Sequence, residues 1–260
     1  MKNEYSAKLV FNKRINNDSS LLTFLCPEIA SSAKPGQFVN ISCSKLLKRP
    51  FGVCETDPER GFFSIGVREV GEGTREICAY EPARVVDVLG PLGNTFPTEG
   101  VSKLILVGGG TGVYPLYYAL SDAKKSSVPT LSVCGFRGSD DTCLVDEFRD
   151  CSDRFIVTSD NGDIGIHGNV LDALKDIGDE DISGSTVITV GPDVMMKRVS
   201  EWAAEKGLPC FVSLERRMAC GVGMCLVCTC KIKSPKDDHA FYNKRCCADG
   251  PVFDAKEVIW

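Results

Sequence analysis

Histidine is nearly absent from this chain of 260 residues, which holds only His167 and His239. Neither belongs to a Ser/His/Asp or Cys/His set that the sequence assembles, so hydrolysis of that kind is not expected, and each imidazole reads as solvated or locally hydrogen-bonded. Basic excess is missing as well. A net charge of -5 and a pI near 5.2 argue against a nucleic-acid surface, and a short basic cluster such as Lys45 to Arg49 reads as solvated loop. No apolar run approaches the ~18 residues of a membrane-spanning helix, and pieces such as Leu104 to Val107 are strand-sized. Met1-Lys-Asn-Glu-Tyr leads into no long apolar stretch, so no signal peptide is read. The thiols are therefore expected in a reducing cytoplasm.

What is abundant is cysteine, with fourteen, and glycine, with 25. The densest run is Cys220-Gly-Val-Gly-Met-Cys225-Leu-Val-Cys228, followed after a polar loop by Arg245-Cys246-Cys247-Ala-Asp-Gly-Pro. A C-x4-C-x2-C spacing with a distant fourth cysteine is the plant-type ligand pattern of a 2Fe-2S cluster. Gly221 and Gly223 would let the backbone wrap closely around it. Structural zinc and inert buried thiols are the competing readings. Zinc sites usually pair two C-x2-C knuckles, whereas here only Cys225 and Cys228 form one. Cys230 is spare, and spacing does not separate Cys246 from Cys247 as the fourth ligand.

The length and mass, 28.2 kDa, suit two domains with a small appendage. From Tyr5 to about Phe96, short apolar runs at Tyr5–Phe11, Leu21–Leu25, Phe38–Ile41, Phe62–Val70 and Arg84–Leu89 alternate with turn residues. That rhythm predicts an antiparallel β barrel or sandwich, with Gly90-Pro91-Leu92-Gly93 as the turn that closes it. Arg49-Pro50-Phe51-Gly52 sets a permanent cation beside an aromatic, a fit for a phosphate-bearing cofactor with a flat ring. Gly66-Val67-Arg68 and Gly71-Glu-Gly73-Thr74 add a second cation and a glycine turn whose N–H groups suit pyrophosphate. The plainer alternatives are a surface arginine and a tight hairpin.

From Ser102 strand and helix alternate. The strand Lys103–Val107, the turn Gly108-Gly109-Gly110-Thr111-Gly112 and the helix Val113–Ala123 make an anion site, although the turn lacks strict G-x-G-x-x-G spacing. Further strands at Leu131–Cys134, Phe155–Thr158 and Val187–Val190, with helices at Leu144–Phe148, Asn169–Leu174 and Asp193–Glu205, predict a parallel sheet. Ligands bind such sheets at the strands' carboxyl ends, which puts Gly135 to Arg137, Ser159 to Asn161, Gly191 and Pro192 on one rim with the glycine turn. A nicotinamide dinucleotide is expected there. Ser159 and Asn161 read as loop capping, and Arg137 at the second strand leaves NAD against NADP open. Asp140-Asp141 and Glu180-Asp181 read as loop charges or helix starts.

This order of parts resembles the ferredoxin-NADP reductase superfamily. More narrowly, Ser213-Leu-Glu-Arg-Arg-Met-Ala-Cys220 through Cys228 and Cys247-Ala-Asp249-Gly250-Pro251-Val252-Phe253 look like the electron-transfer subunits of type B dihydroorotate dehydrogenases. The resemblance implies an FAD-binding β barrel over residues 1–98, an NAD-binding α/β domain over 99–212 and a small 2Fe-2S domain over 213–260. It assigns flavin contacts to Arg49, Pro50, Phe51, Gly52, Gly66, Val67, Arg68, Gly73 and Thr74. It assigns cluster ligands to Cys220, Cys225, Cys228 and Cys247, the last for its place just ahead of Asp249-Gly250-Pro251, while the nicotinamide contacts expected from the strand ends are Gly109, Gly110, Thr111, Gly112, Gly191 and Pro192. Three departures stand out: Gly52 where Ser or Thr is usual, Val190 where Cys is usual, and a longer loop between Cys228 and Cys247.

The implied partner is an FMN-containing catalytic subunit that oxidises dihydroorotate, in a heterotetramer of two subunits of each kind, with electrons passing through 2Fe-2S and FAD to NAD in pyrimidine biosynthesis. No catalytic acid or base for orotate chemistry is expected in this chain, nor nucleic-acid or membrane binding. The rivals are the flavoprotein subunit of a sulfide dehydrogenase or of an NADH-dependent ferredoxin:NADP oxidoreductase and, from another class, a non-catalytic zinc-binding interaction module.

Overall fold

The computed structural model describes residues 4–234 and 237–260, with the backbone alone for 237–239. The start of the leader reading at Met1 and the side chain of His239 lie outside the described residues. Six strands, β1 (Glu4–Arg14), β2 (Ser19–Leu25), β3 (Phe38–Ile41), β4 (Arg49–Asp57), β5 (Phe62–Arg68) and β6 (Val85–Leu92), close into an antiparallel barrel in the order β1-β2-β5-β4-β3-β6. Alternation fills it. Leu9, Leu22, Phe24, Val39, Phe63, Ile65 and Val88 are fully buried inside, with Phe24 and Phe63 stacked at 5.4 Å between ring centroids. Helix α1 (Pro27–Ser32) begins with proline in its first turn, where no N–H is needed, and buries Ile29 and Ala30.

Three local expectations are corrected. The basic cluster Lys45 to Arg49 is not loop throughout, because Arg49 opens β4, which pairs with β3 through Asn40 opposite Pro50. The turn expected at Gly90–Gly93 begins only at Gly93, because β6 runs on to Leu92; Gly90 is glycine because a Cβ there would lie 2.8 Å from Val39 Cγ1. The glycine turn at Gly71–Gly73 is the start of helix α2 (Glu72–Cys78), where Thr74 Oγ1 accepts from the backbone N–H of Val70 and Gly71 at 2.9 and 3.0 Å. That side chain is an internal cap.

The second layer is a seven-stranded sheet in the order β10-β9-β8-β7-β11-β12-β15. Its strands are β7 (Leu104–Gly109), β8 (Thr130–Phe136), β9 (Arg154–Ser159), β10 (Ile166–His167), β11 (Thr186–Val190), β12 (Cys210–Ser213) and the late β15 (Val252–Asp254), which alone is antiparallel. The expected parallel core is thus extended at both edges by short strands the apolar pattern did not announce. Every residue of β7 and β11 is buried, as expected for strands covered on both faces. Crossover helices α3 (Val113–Lys125), α4 (Val145–Cys151), α5 (Val170–Lys175), α6 (Asp179–Ile182) and α7 (Asp193–Glu205) follow. A hairpin of β13 (Thr229–Ser234) and β14 (Asp237–Arg245) occupies the long interval between Cys228 and Cys247. Among the described residues no helix is long and apolar enough to cross a membrane.

Candidate functional site

Barrel and sheet meet along a cavity of about 410 Å³. Its barrel wall carries Arg49, Pro50, Phe51, Gly52, Gly66, Arg68 and Thr74, so the two patches read from sequence are brought together. Arg49 is held by its Nη1 donating to the Leu47 carbonyl at 2.7 Å and lies against the first turn of α2. Gly73 makes this possible, since a Cβ there would sit 2.7 Å from Arg49 Nε. No carboxylate pairs with Arg49 among the described residues, which leaves its charge for an anion. Val67 turns its side chain into the barrel core and does not line the cavity. Arg68 is bound to Asp18, Nε to Oδ2 at 2.7 Å; burial pushes the Asp18 carboxyl up, but the guanidinium outweighs it and holds it below the usual carboxylate range.

The cavity floor is Tyr114 and Pro115 at the start of α3. The Tyr114 ring fills the space above Gly66, and its buried hydroxyl, pushed to a high pKa by burial, faces the Cys143 thiol. Pro115 takes the space above Gly52 in the same way, a Cβ there lying 2.9 Å from Pro115 Cβ. The absence of Ser or Thr at position 52 therefore has a steric cause. Val190, at the end of β11, also lines the cavity, with an apolar surface. Residues that sequence reasoning missed close the other side: Leu214, Glu215, Arg216, Met218 and Pro251, all from the tail. The Tyr114-Pro115 pair was at least visible as the continuation of the glycine turn.

A second cavity of about 280 Å³ lies on the carboxyl rim of the sheet. It collects Gly109, Gly110, Thr111, Gly135, Phe136, Arg137 and Pro192, which is the rim expected from strand order. Gly112 and Gly191 serve it from behind: a Cβ on Gly112 would fall 2.2 Å from the Val190 carbonyl, and one on Gly191 would strike Met195. Thr111 and Arg68 line both cavities, so these are neighbouring compartments with a shared wall. Ser159 is engaged in its own loop, donating to the Ile164 carbonyl and accepting from its N–H. His167 is exposed on β10, away from both cavities.

The tail cysteines fall into two contacting pairs, Cys220 with Cys225 and Cys228 with Cys247. Cys220 Sγ accepts from the backbone N–H of Val222, Met224 and Cys225 at 3.3–3.4 Å, and Cys228 Sγ from that of Cys247 at 3.4 Å. Burial pushes the Cys220 thiol up, but these donors outweigh it and bring it down to about 6. Cys246, as buried as Cys228 and Cys247, faces Cys230 instead, and these two thiols make a separate contact. Among the described residues no three His, Cys, Asp or Glu side chains converge as a single metal ion would need. The loop touches the barrel, since Gly221 sits where a Cβ would strike Asn40 Nδ2 of β3 at 2.1 Å.

Residues 215–259 match the family model described as the iron-sulfur cluster binding domain of dihydroorotate dehydrogenase B. Over 238 residues the chain is 37% identical to the electron transfer subunit of dihydroorotate dehydrogenase B (NAD(+)) from Geobacillus thermodenitrificans, covering 89% of each chain. It belongs to the family of dihydroorotate dehydrogenase B electron transfer subunits. The corresponding subunit from Bacillus caldolyticus is also 37% identical, over 87% of each chain. Among solved structures, an NADH-dependent reduced ferredoxin-NADP oxidoreductase studied for flavin-based electron bifurcation superposes with a TM-score of 0.86 at 33% identity, over 100% of this chain and 92% of that one. The cytochrome b5 reductase domain of Ulva prolifera nitrate reductase shares the fold at TM-score 0.61 and 17% identity, over 79% of this chain and 94% of that one.

The residues present fit the groups such a family uses. Two thiol pairs, one of them surrounded by backbone N–H donors, suit two irons better than one tetrahedral zinc. The larger cavity offers an unpaired cation at one side and aromatic and proline surfaces for a flat ring. The smaller has glycine backbone at strand ends, where a pyrophosphate is received.

Proposed function

We propose that this chain binds FAD in the larger cavity, NAD(H) on the adjoining rim and a 2Fe-2S cluster on Cys220, Cys225, Cys228 and Cys247. In this role it is the electron-transfer subunit that links an FMN-containing, dihydroorotate-oxidising catalytic subunit to NAD+ in pyrimidine biosynthesis. When bound, the flavin would exchange single electrons with the cluster and a hydride with the nicotinamide. The observation that carries this reading is the shared wall at Thr111 and Arg68, which places the two cavities side by side while the cysteine loop bears on β3 of the same barrel.

The chain's own residues hold and exclude. Arg49 offers its unpaired charge to phosphate, and Gly52 and Gly66 let Pro115 and Tyr114 rise to the cavity floor. Val190 presents an apolar face to the junction and keeps water from it. Cys247 is favoured over Cys246 because its backbone N–H and thiol both address Cys228, while the Cys246 thiol is directed to Cys230. In this division of labour the proton chemistry on the pyrimidine ring belongs to the catalytic subunit.

The test is the anaerobically purified chain, assayed on one sample for iron, sulfide, zinc and flavin. About two irons, two sulfides and one FAD per chain are expected; zinc without flavin would overturn the reading in favour of a binding module. Alone, the chain should oxidise NADH with an artificial acceptor and leave dihydroorotate untouched. Mixed with the FMN subunit it should form a complex of two copies of each and reduce NAD+ with dihydroorotate. Activity with ferredoxin and NADP in place of that partner would support the alternative to which the 33% identical structure points.

A further inference from the structure

Arg245 stands between the two cysteine-bearing segments. It ends β14 and opens the turn that carries Cys247, and its side chain reaches back to the other loop. Its Nε and its backbone N–H both donate to Asp249 Oδ2 at 2.8 Å, and its Nη2 donates to Asp249 Oδ1 at 2.9 Å. The remaining arm, Nη1, donates to the Gly223 carbonyl at 2.9 Å. Asp249 closes the turn in return, its N–H donating to the Arg245 carbonyl at 2.8 Å. A planar guanidinium thus ties Gly223, three residues after Cys220 and two before Cys225, to the turn of Cys247.

The fit leaves no slack. Gly223 has a φ of +85°, and a Cβ there would lie 2.8 Å from Ala248 Cβ and 3.3 Å from Arg245 Nη1. The loop therefore rides directly on the turn. The guanidinium also interacts through its charge with Cys228 and Cys247, one of the two thiol pairs. Both members of the ion pair are about two-thirds covered, with side-chain exposures of 36% and 31%, so solvent does not fully screen them.

We propose that Arg245 and Asp249 are a positioning pair that locks the Gly223 loop onto the Cys247 turn and sets the electron affinity of the cluster by an oriented charge pair. This rests on the reading that these cysteines hold a 2Fe-2S cluster. Taking up one electron adds one negative charge to the cluster, and net charge and hydrogen bonding around the sulfurs tune that step. The cation of Arg245 favours it and the carboxylate of Asp249 opposes it. Removing one or the other must therefore move the midpoint potential in opposite directions, although either change breaks the same tie.

The experiment uses the full chain with its cluster, as wild type, R245Q, R245K, D249N and K244Q. Each is assayed for iron and sulfide, for the rate of iron release to a chelator, and for midpoint potential by redox titration followed by electron paramagnetic resonance. R245Q is expected to lower the potential and D249N to raise it, while R245Q and R245K release iron about tenfold faster, the usual order for loss of an outer hydrogen-bonding partner. K244Q, which removes a neighbouring charge paired with Glu257, should leave iron release unchanged. If a variant loses its cluster too fast to titrate, accelerated release confined to the Arg245 and Asp249 variants supports the tie. Potentials that stay put or shift together, or release unchanged in R245Q, would overturn the proposal while leaving the cluster in place. A wild-type chain without iron would instead remove the reading on which it rests.

Discussion

The ring of Tyr114 occupies the space that a side chain on Gly66 would need: a Cβ built on Gly66 falls 2.1 Å from Cγ and Cδ2 of that ring. Tyr114 is 1% exposed and begins the helix after the glycine turn, so barrel and sheet are joined through one missing methyl group. The G66A substitution must move either the β5 backbone or the tyrosine. Overpacking of this kind costs about 1–3 kcal/mol. A lower melting temperature together with less bound flavin per chain is expected, read by thermal denaturation and by absorbance of the released cofactor.

Cysteine substitutions should divide the adjacent pair. C247A is expected to lose most of its iron, because the thiol that addresses Cys228 is gone. C246A should keep its iron and lose only packing, since its thiol lies in the core against Cys230. Iron per chain and the cluster's visible absorption decide it; the reverse pattern would reassign the fourth ligand.

Arg49 is free of carboxylate partners among the described residues, so its charge should act on the cofactor rather than on the fold. Hydrogen bonds to charged groups contribute about 1.5–3 kcal/mol, which corresponds to a roughly ten- to hundredfold weaker FAD dissociation constant for R49A. Fluorescence titration of apoprotein checks this, and the loss should shrink at high salt. The melting temperature of the apoprotein should barely change.

The Asp18–Arg68 bridge makes stability depend on acid. The folded carboxyl is held below its ordinary range, so its contribution is full above an unfolded pKa of about 3.9 and is lost as pH falls through the lower folded value. Both partners are more than a third exposed, so the effect is modest. D18N should be less stable than wild type near neutrality and converge with it only as the pH falls below the lowered folded value, as followed by thermal melts on an acid series.

Much of the architecture was legible because its signals are local. Gly108 to Gly112 between an apolar strand and a periodic helix marked the carboxyl rim of the sheet, and cysteine spacing marked the tail. What escaped depends on distant partners. Pro50 inside β4 looks like a strand breaker until β3 is seen opposite it, with Asn40 as its neighbour. Gly71 and Gly73 look like a hairpin until Thr74 is seen capping a helix start and Arg49 is seen lying over Gly73. Cys246 and Cys247 are indistinguishable in sequence because direction along a turn, not spacing, decides which thiol meets Cys228. The contribution of Leu214 to Met218 and Pro251 to the larger cavity was invisible for the same reason, as it arises only when the tail folds back on the barrel.

That return has a consequence for how the chain can be dissected. After Cys247 the backbone passes Asn94, whose side chain donates to the Val252 carbonyl and accepts from the Val252 N–H, and then enters the sheet as β15 beside β12. The residues after Cys247 are thus woven into both larger units rather than appended to them. A segment cut out at residue 215 would leave an unpaired sheet edge on one side and Val252 and Phe253 bare on the other. Unlike a freestanding ferredoxin, this iron-sulfur element is not a transplantable cassette.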